Sequence, residues 1–374
     1  MIPISDFKLE RYFAKYEFKV RFLLSASDCE SLSQAELLAL ADADARDRWE
    51  RLRLGYTESQ GDPALRAAIA AGYESVTPDD IQIVVPEEGI YIAMRTLLEP
   101  GQHVVAMEPA YQSLYEVARA QGCEVTPWPV TLSASSDAWH LDLDQLAALI
   151  RPETRLLVIN FPHNPTGLVP PRALLDAVLD LARRHDLYVF SDEMYRGLEL
   201  DPAARLPAAI DLYPKTISLA GLSKTHGLPG LRLGWLVTRA PGVMDRLMAY
   251  HDYTIICHSA PSEALALIAV RATDHLLARN LALIRANAAH AALFCARHPE
   301  RFRWLPPQGG SIAFPAYLGP GSVDDWCQTI LDQQGVMIVP ASIFDYPGSH
   351  FRMGLGRANF PEALAQVEAQ FGNT

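Results

Sequence analysis

The stretch from Thr216 to Trp235 reads Thr-Ile-Ser-Leu-Ala-Gly-Leu-Ser-Lys-Thr-His-Gly-Leu-Pro-Gly-Leu-Arg-Leu-Gly-Trp. Its apolar start is typical of a buried strand, and Gly227 and Pro229 prevent a continuous helix after it. The turn carries Lys224, and Arg232 follows eight residues later. A desolvated lysine near a second cation loses its proton near neutral pH, which suits Schiff-base chemistry on a phosphorylated aldehyde cofactor.

Two other interpretations of this turn remain open. Lys224 could be a solvated loop lysine, or the Ser-Lys-Thr sequence could belong to a phosphate-binding loop. That loop motif requires glycine directly before the lysine, where this chain has Ser223. If any lysine binds a cofactor covalently, Lys224 is the candidate, because the other four lie in the N-terminal segment or at the start of a strand: Lys8, Lys15, Lys19 and Lys215.

Length, charge and cysteine usage limit the class of protein. With 374 residues, the chain is long enough for one large and one small domain. The formal charge of −12 argues against nucleic acid and anionic membranes as partners. The 5 cysteines are far apart, which predicts neither a disulfide framework nor a zinc site and favours a reducing cytoplasm. No signal-peptide core and no apolar run near the ~20 residues of a membrane span is present.

Strand and helix patterns alternate from residue 81 onward. Continuous apolar strands separated by helices predict an α/β fold, with a large domain whose mostly parallel sheet is covered by helices on both faces. A smaller α+β domain is expected from the N- and C-terminal segments. The predicted strands are 81–85, 103–107, 156–160, 187–190 and 216–219. The predicted helices are 33–48, 88–98, 111–121, 171–185 and most of 241–298. The large domain is expected over 51–290, and the small domain over 1–50 and 291–374.

Polar side chains follow four of these strands. Ligands of parallel sheets bind at the carboxyl ends of the strands. Tyr111, Asn164, Asp192 and Lys224 each follow a different predicted strand. We therefore expect these side chains to meet at one edge of the sheet.

These residue types match the needs of pyridoxal phosphate. A buried carboxylate keeps the ring nitrogen protonated, and Asp192 is placed for that role. Its neighbour Glu193 should point to the opposite face, because side chains alternate along a strand. Tyr195 and Asn164 could hydrogen-bond the phenolic oxygen. The alternatives are that Asp192 caps a turn, that Asn164 only forms a turn and that Tyr195 is a packed aromatic.

The two anionic groups of cofactor and substrate need cationic or backbone donors. Arg232 offers several N–H donors, and the start of the helix near Glu88 offers backbone N–H groups for a phosphate. Tyr111 could stack on the ring. Arg352 is the candidate for gripping a substrate carboxylate, and a surface arginine on an edge strand is the alternative.

Three motifs together resemble the fold-type I pyridoxal-phosphate-dependent aminotransferases of class I/II. They are Asn164-Pro-Thr-Gly167, Asp192-Glu-Met-Tyr195 and Ser223-Lys-Thr-His-Gly-Leu-Pro-Gly-Leu-Arg232. The motifs occur in the family's order and spacing between Tyr56 and Arg352. As a set they are highly specific.

This resemblance implies an enzyme that moves an amino group between an amino acid and a 2-oxo acid. Lys224 would form the internal aldimine and carry the proton between Cα and the cofactor's C4′. The resemblance also implies that Asp192 contacts the pyridinium, that Tyr195 and Asn164 contact the phenolate and that Tyr111 stacks on the ring. The phosphate would be bound by Ser223, Arg232 and the turn at Glu87 and Glu88. The substrate carboxylate would be bound by Arg352, beside Asn164. In this family the residue at the position of Tyr56 reaches the phosphate of the neighbouring subunit, which implies a homodimer with shared active sites.

The chain departs from the family pattern at three places. Val85-Pro-Glu-Glu-Gly89 replaces a Gly-rich phosphate turn, so two carboxylates lie beside the expected phosphate unless they point away. Gly221 replaces a hydroxyl residue. The segment 25–33 is similar to that of the capreomycidine synthase-like branch, where Asp28 or Glu30 could meet a cationic substrate side chain or else cap a helix before Leu32.

The residues of the chain favour one function over three others. An aminotransferase is favoured, and a pyridoxal-phosphate lyase or cyclase acting at Cβ or Cγ, for instance on a hydroxylated arginine, is the alternative. A non-catalytic ligand sensor is disfavoured because the catalytic set is complete. A nicotinamide dehydrogenase is disfavoured because no Gly-x-Gly-x-x-Gly follows a strand.

Overall fold

The computed structural model describes residues 3–133 and 138–373. The first two residues and the last residue of the predicted small domain thus lie outside the described part. The helices are α1 Lys8–Tyr16, α2 Gln34–Ala39, α3 Ala43–Glu50, α4 Pro63–Ala70, α5 Pro86–Leu97, α6 Ser113–Ala120, α7 Leu143–Leu149, α8 Arg172–Arg184, α9 Ala209–Leu212, α10 Val243–His251, α11 Ala260–Arg271, α12 Thr273–Arg297, α13 Val323–Gln334 and α14 Phe360–Ala369. The strands are β1 Phe22–Leu23, β2 Ile81–Val84, β3 His103–Glu108, β4 Glu124–Pro129, β5 Thr131–Leu132, β6 Trp139–His140, β7 Thr154–Asn160, β8 Tyr188–Asp192, β9 Thr216–Gly221, β10 Gly234–Thr238, β11 Phe302–Arg303, β12 Ile312–Ala313, β13 Ala316–Tyr317, β14 Val336–Met337, β15 Val339–Pro340 and β16 Phe351–Gly354.

The centre of the molecule is a 7-stranded sheet in the order β2-β10-β9-β8-β7-β3-β4. Strand β10 is antiparallel to both of its neighbours, and the other strand pairs are parallel. The predicted mostly parallel sheet is confirmed. Strand β10 was not predicted. It begins directly after the Gly- and Pro-rich turn, and its apolar residues give the same signal as those of the turn and of the strand before it.

Both faces of the sheet are buried, as predicted. Along β7, Leu156 and Val158 pack into one apolar cluster, whereas Leu157 and Ile159 pack into another. Side chains alternate between the faces of a strand, so each face has its own core. Helix α5 packs against β9 and β10, and α8 packs against β8.

Helix ends follow local capping chemistry. Asp62 accepts the N–H groups of Ala64 and Leu65 at 2.8 and 3.0 Å, with Pro63 at the first helical position. Both features stabilise the start of α4.

The single helix predicted over 33–48 is wrong. Ser33 caps α2, and Asp42 caps a separate α3 by accepting the N–H of Ala45 at 2.8 Å. The predicted helix 111–121 begins later, at Ser113.

The two ends of the chain meet away from the large sheet. Strand β1 is parallel to β14, and β12, β16 and β15 form a 3-stranded sheet. Helix α12, with 25 residues, contains the predicted domain boundary at residue 290, so it continues unbroken across that point. Within the described residues, no helix combines the length and apolarity needed to cross a bilayer.

Gly354 fixes how β16 lies against the N-terminal segment. Its N–H donates to the Leu24 carbonyl at 2.6 Å. A Cβ at this position would come 1.9 Å from the Ala26 carbonyl oxygen. Because the obstacle is backbone, no side-chain rotation can relieve the clash.

We expect Gly354→Ala to destabilise the protein by roughly 3 kcal/mol through overpacking, seen as a lower midpoint of urea unfolding. Gly230→Ala is the matched control, since nothing lies within 4 Å of the Cβ that it adds. An unchanged midpoint for Gly354→Ala would show that the two segments are not held this closely.

Candidate active site

The register of the sheet aligns the ends of its strands at one edge. Asn160 at the end of β7 is opposite Asp192 at the end of β8, and Asp192 is opposite Leu219 in β9. Gly234, at the start of β10, pairs with both Gly221 and Val84. The turns that leave these strands therefore start side by side.

A cavity of about 470 Å³ opens at this edge. Four segments that follow or end different strands contribute to it, as the sequence predicted. The predicted residues that line it are Glu87, Tyr111, Asn164, Asp192, Tyr195, Ser223, Lys224, Arg232 and Arg352.

Lys224 lies in the cavity wall with its amine held by the N-terminal segment. Its Nζ donates to Ser27 Oγ at 2.8 Å. Burial lowers the pKa of this amine. The nearby Asp28 carboxylate opposes that shift, and the Arg352 guanidinium adds to it. A lysine in these surroundings is poised to act as a neutral nucleophile or base.

Asp192 is the last residue of β8 and is buried. Its Oδ1 accepts the N–H of Met194 at 3.0 Å, yet burial raises the pKa of the carboxyl to about 7. A cationic partner in the cavity would favour the ionised form.

Glu193 points to the other face of the sheet, as strand alternation predicted. Its Oε1 accepts the Ala209 N–H at 2.9 Å and the Ser218 hydroxyl at 2.8 Å. Its other oxygen lies 3.3 Å from Arg196. Glu193 is thus held by structural contacts outside the cavity.

Arg352 is a buried cation on β16, with a side chain only 1% exposed. Its Nη2 donates to the Ser25 carbonyl at 3.0 Å and its Nη1 to Asn164 Oδ1 at 3.4 Å. Its Nε has no hydrogen-bond partner among the described residues. The surface alternative for Arg352 is therefore wrong, and its guanidinium has donor capacity left for an anion.

Two tyrosines complete the inner wall. The hydroxyl of Tyr195 donates to the Ser27 carbonyl at 3.2 Å, and that of Tyr111 donates to Glu10 Oε1 at 2.9 Å. Burial is the main cause that raises the pKa of both phenols, so both remain protonated at neutral pH. The Tyr111 ring lies 4.8 Å from that of Phe7.

The first turn of α5 sends its two glutamates in different directions. Glu88 points away from the cavity: its Oε2 accepts the Val85 N–H at 3.1 Å, and its Oε1 lies 3.1 Å from His251 Nδ1 and hydrogen-bonds Thr254. Burial alone would raise the pKa of Glu88, but hydrogen bonds from His251 and Thr254 outweigh it and leave the pKa lowered.

Glu87 lines the cavity, where its Oε2 accepts the Ser113 hydroxyl at 3.4 Å. Burial raises the pKa of Glu87 to about 7, so this carboxyl can be neutral beside an anion. The N–H groups of Glu87 and Glu88 precede the first intrahelical bond, from Gly89 N–H to the Val85 carbonyl at 2.8 Å. They are the donors that a helix start offers to a phosphate.

Arg232 lines the same cavity as this helix start. Its backbone is left-handed, with φ 51°, and its Nη1 donates to the Pro229 carbonyl at 2.9 Å. The rest of this exposed guanidinium is available to a ligand.

Three predicted residues lie at the edge of this cavity or outside it. Tyr56 is 91% exposed and does not line this cavity within the one chain, so its predicted contact with a neighbouring subunit stays a prediction. Glu30 also lies outside the cavity, where it accepts the Ala358 N–H at 3.1 Å. Asp28 lines the cavity but is held by Arg357 Nη2 at 2.9 and 3.1 Å. Neither acid caps a helix, because Ser33 is the cap of α2.

The sequence did not predict that the N-terminal segment forms one wall of the cavity. Glu10, Phe13 and Glu17 line the cavity from α1 and its C-terminal end, together with Ser27. Only their i, i+3, i+7 spacing could have indicated a common face, and that spacing does not say what the face contacts.

A second, larger cavity of about 730 Å³ lies on the far side of Lys224, against α4. Its cations are already paired: Arg196 with Glu193 at 3.3 Å, Arg205 with Glu199 at 3.2 Å and Arg271 with Asp42 at 2.9 Å. The smaller cavity, with its unpaired donors, is therefore the better candidate for catalysis.

Comparison with known proteins identifies the class. Residues 21–367 match the family described as aminotransferase class I and II. Capreomycidine synthase of Streptomyces vinaceus is 32% identical, with 99% of this chain and 93% of that protein covered. Arginine–pyruvate transaminase of Pseudomonas aeruginosa is 30% identical, with 80% of this chain and 77% of that protein covered.

Solved structures agree. A pyridoxal-phosphate-dependent aminotransferase from Streptococcus suis has a TM-score of 0.91 at 28% identity, covering 100% of this chain and 98% of that chain. The pyridoxal-phosphate-dependent cyclase OrfR has a TM-score of 0.89 at 28% identity, with the same coverage.

The chain therefore belongs to the class I and II aminotransferases. It is a pyridoxal-phosphate-dependent transferase that exchanges an amino group between an amino acid and a 2-oxo acid. The predicted family, fold class, function and cofactor are confirmed.

The residues of the cavity fit this cofactor. An amine with a lowered pKa at Lys224 suits the aldehyde, and a carboxyl at Asp192 with a pKa near neutrality suits a basic ring nitrogen. Arg232 and the free N–H groups of α5 suit the phosphate.

The raised pKa of Asp192 predicts that the folding stability of the cofactor-free protein depends on pH. Between the unfolded pKa near 4 and the folded pKa of about 7, the folded state holds the proton that the unfolded state loses. The stability contributed by Asp192 is thus lost as the pH rises through that window. Asp192→Asn cannot titrate, so the free energy of unfolding of this variant should exceed that of wild type by roughly 4 kcal/mol at pH 8 and by little at pH 4.

Urea unfolding of both cofactor-free proteins across this pH range measures the difference. Glu88→Gln is an opposite control, because the lowered pKa of Glu88 makes the ionised wild type the more stable form at high pH. A difference between wild type and Asp192→Asn that is constant with pH would mean that folding does not shift the pKa of Asp192.

Proposed function

We propose that Lys224 holds pyridoxal phosphate covalently and moves the proton during amino-group transfer. One observation carries this proposal: a single cavity brings together an amine, a carboxyl and two guanidinium groups from separate segments (Lys224, Asp192, Arg232 and Arg352). When bound, the cofactor supplies an electron sink for the charge that develops at the substrate Cα.

Lys224 is suited to both holding and proton transfer. Burial lowers the pKa of its amine, so Nζ would be available as a base. Its hydrogen bond to Ser27 Oγ would keep Nζ near the substrate Cα. Nζ would take the proton from the substrate Cα and hold it for delivery to C4′, the carbon that carries the aldehyde.

Three side chains would tune the ring of the cofactor. The Asp192 carboxylate would pair with the protonated ring nitrogen, while the Tyr195 hydroxyl and the Asn164 amide would donate to the phenolic oxygen. Tyr111 would stack on the ring. Burial of Asp192 and Tyr195 supports these roles, because hydrogen bonds and ion pairs are stronger where water is excluded.

The two anionic ends would bind at different places. Ser223, Arg232 and the N–H groups of Glu87 and Glu88 would hold the phosphate, with the Glu87 carboxyl protonated. Arg352, oriented by Asn164, would bind the substrate α-carboxylate. Its unpartnered Nε supports this role.

We expect Lys224→Ala to abolish turnover and the borohydride-trapped bond between protein and cofactor. Lys215→Ala is the matched control: Lys215 begins the same strand region but pairs with the surface residue Asp186. Mass spectrometry after borohydride reduction locates the modified lysine. Trapping that survives in Lys224→Ala would assign the bond to another residue.

A second candidate function is elimination or cyclisation at Cβ or Cγ with the same cofactor. The similarity to capreomycidine synthase and to the cyclase OrfR favours it. The two functions differ in stoichiometry. Without a 2-oxo acid acceptor, an aminotransferase releases one 2-oxo acid per active site and stops, whereas a lyase or cyclase continues to turn over.

We further propose a homodimer with shared active sites. Large apolar side chains are exposed on two adjoining loops: Leu54 and Tyr56 on one, Tyr253 and Ile256 on the other. The loops are tied together, since Thr57 Oγ1 donates to the His258 carbonyl at 3.2 Å. A patch of this kind fits a second copy of the chain, whose phosphate site Tyr56 would reach.

Sedimentation tests the dimer. Wild type should sediment at twice the mass of one chain, and Leu54→Asp with Ile256→Asp should shift it to monomer and weaken cofactor binding. Leu318→Asp, an exposed leucine in the C-terminal part, is the matched control. A monomeric wild type, or equal dissociation of the control, would contradict the proposal.

We also propose a cytoplasmic location and the division into a large domain over 51–290 and a small domain from 1–50 and 291–374. Five free cysteines support the reducing compartment. Pairing of β1 with β14 supports a small domain built from both ends of the chain. Cell fractionation and limited proteolysis near residue 50 test these two proposals.

A further inference from the structure

One face of helix α1 forms the outer wall of the active-site cavity. Glu10, Phe13 and Glu17 have the spacing i, i+3, i+7, which places them on one side of the helix and its C-terminal end, and all three line the cavity. The face is anchored at the inner end, because the Phe13 ring lies 5.7 Å from the guanidinium carbon of Arg352. It thus runs outward from the arginine that is left with an unpartnered donor.

The two carboxylates on this face have little compensation. Glu17 makes no side-chain hydrogen bond or ion pair among the described residues, and Glu10 accepts only the Tyr111 hydroxyl at 2.9 Å. Burial raises the pKa of Glu17, and the charges of Asp28 and Glu10 raise it further. Arg357 and Lys224 act in the opposite sense, but Arg357 is already bound to Asp28 at 2.9 Å.

The other charges of the cavity are already assigned to ligand groups. Lys224, Arg232 and Arg352 would face the aldehyde, the phosphate and the α-carboxylate, and Asp192 would face the ring nitrogen. Glu87 has a pKa of about 7 and can be neutral. Once cofactor and substrate backbone are bound, the uncompensated charge is therefore negative and lies on the α1 face.

An independent observation points to a ligand in this cavity. Arg352 is 1% exposed, and its Nε, which has no hydrogen-bond partner among the described residues, belongs to a side chain that lines the same cavity. A buried unsatisfied cationic donor is costly unless a ligand anion completes it. A carboxylate at Arg352 would leave the substrate side chain directed along Phe13 between the two glutamates.

We propose that the α1 face selects amino acids with a cationic side chain, with Glu10 and Glu17 binding the distal guanidinium or ammonium group and Phe13 packing against its stem. This inference rests on the proposed function and deepens it. Glu10 and Glu17 are specificity residues rather than catalytic residues, since the reacting atoms lie at Lys224. Phe13 adds a cation–π contact when the charge is spread over a planar guanidinium.

The test compares two probes of equal shape and different charge. L-2-Methylarginine and L-2-methylcitrulline lack the α-hydrogen, so the holoenzyme binds them without transamination. Calorimetric titration gives their dissociation constants. Wild type should bind the arginine analogue about 100-fold more tightly than the citrulline analogue, as a charge-assisted pair allows.

Substitutions then assign the preference to the α1 face. Glu17→Gln should reduce the ratio of the two dissociation constants about tenfold, and Glu10→Gln with Glu17→Gln should bring it near one, with citrulline-analogue binding unchanged. Glu50→Gln, which removes an exposed charge at the end of α3, is the control and should keep the wild-type ratio. An unchanged melting temperature and cofactor spectrum show that each variant is folded and loaded.

Two results would overturn the inference: equal affinity of wild type for both probes, or a ratio that survives the double substitution. Neither result touches the proposed function. Transamination of citrulline or alanine, with the cofactor trapped on Lys224, would uphold the function while the selectivity fails. Absence of cofactor on Lys224 would remove both.

Discussion

The active site depends on the register of the central sheet. Because Asn160, Asp192 and Leu219 lie at one level in three adjacent strands, the chain leaves the sheet at neighbouring points. The antiparallel β10 then brings Arg232 back to the same edge, since Gly234 pairs with Gly221. A slip of β8 by one residue against β7 and β9 would turn Asp192 to the opposite face, where Glu193 is now held by structural contacts.

The cavity contains buried ionisable groups that lack partners of opposite charge among the described residues. Asp192, Lys224 and Arg352 each have a pKa shifted toward the neutral form by burial. Burial of a charge costs several kcal/mol unless a partner is supplied. A cofactor with a basic ring nitrogen, an electrophilic aldehyde and an anionic tail supplies partners of the required sign, so the folded chain and its ligands stabilise one another.

Sequence alone predicted the parts of the site that depend on local pattern. Asp192 and Lys224 follow short apolar strands, and their position at the strand ends needs only the parallel-sheet rule. The direction of the Glu87 and Glu88 side chains was not predictable, because it depends on Ser113 and His251, which are distant in sequence. The role of α1 was missed for the same physical reason: an amphipathic face becomes a cavity wall only through its tertiary partners.

The segment 25–28 explains why both ends of the chain matter for chemistry on the large sheet. Its Ser25 carbonyl holds Arg352, its Ser27 hydroxyl holds the amine of Lys224, and its Ser27 carbonyl accepts both Tyr195 and Ser311. Glycines at 354 and 356 let β16 and the turn that follows it approach this backbone, where added Cβ atoms would come within 1.9 and 2.3 Å of its carbonyl oxygens. Lys224 and Arg352 are therefore both held by one short, closely packed stretch. A shift of this segment would alter the hydrogen bonds of Arg352 and Lys224 together, because one contact of each side chain is made to it.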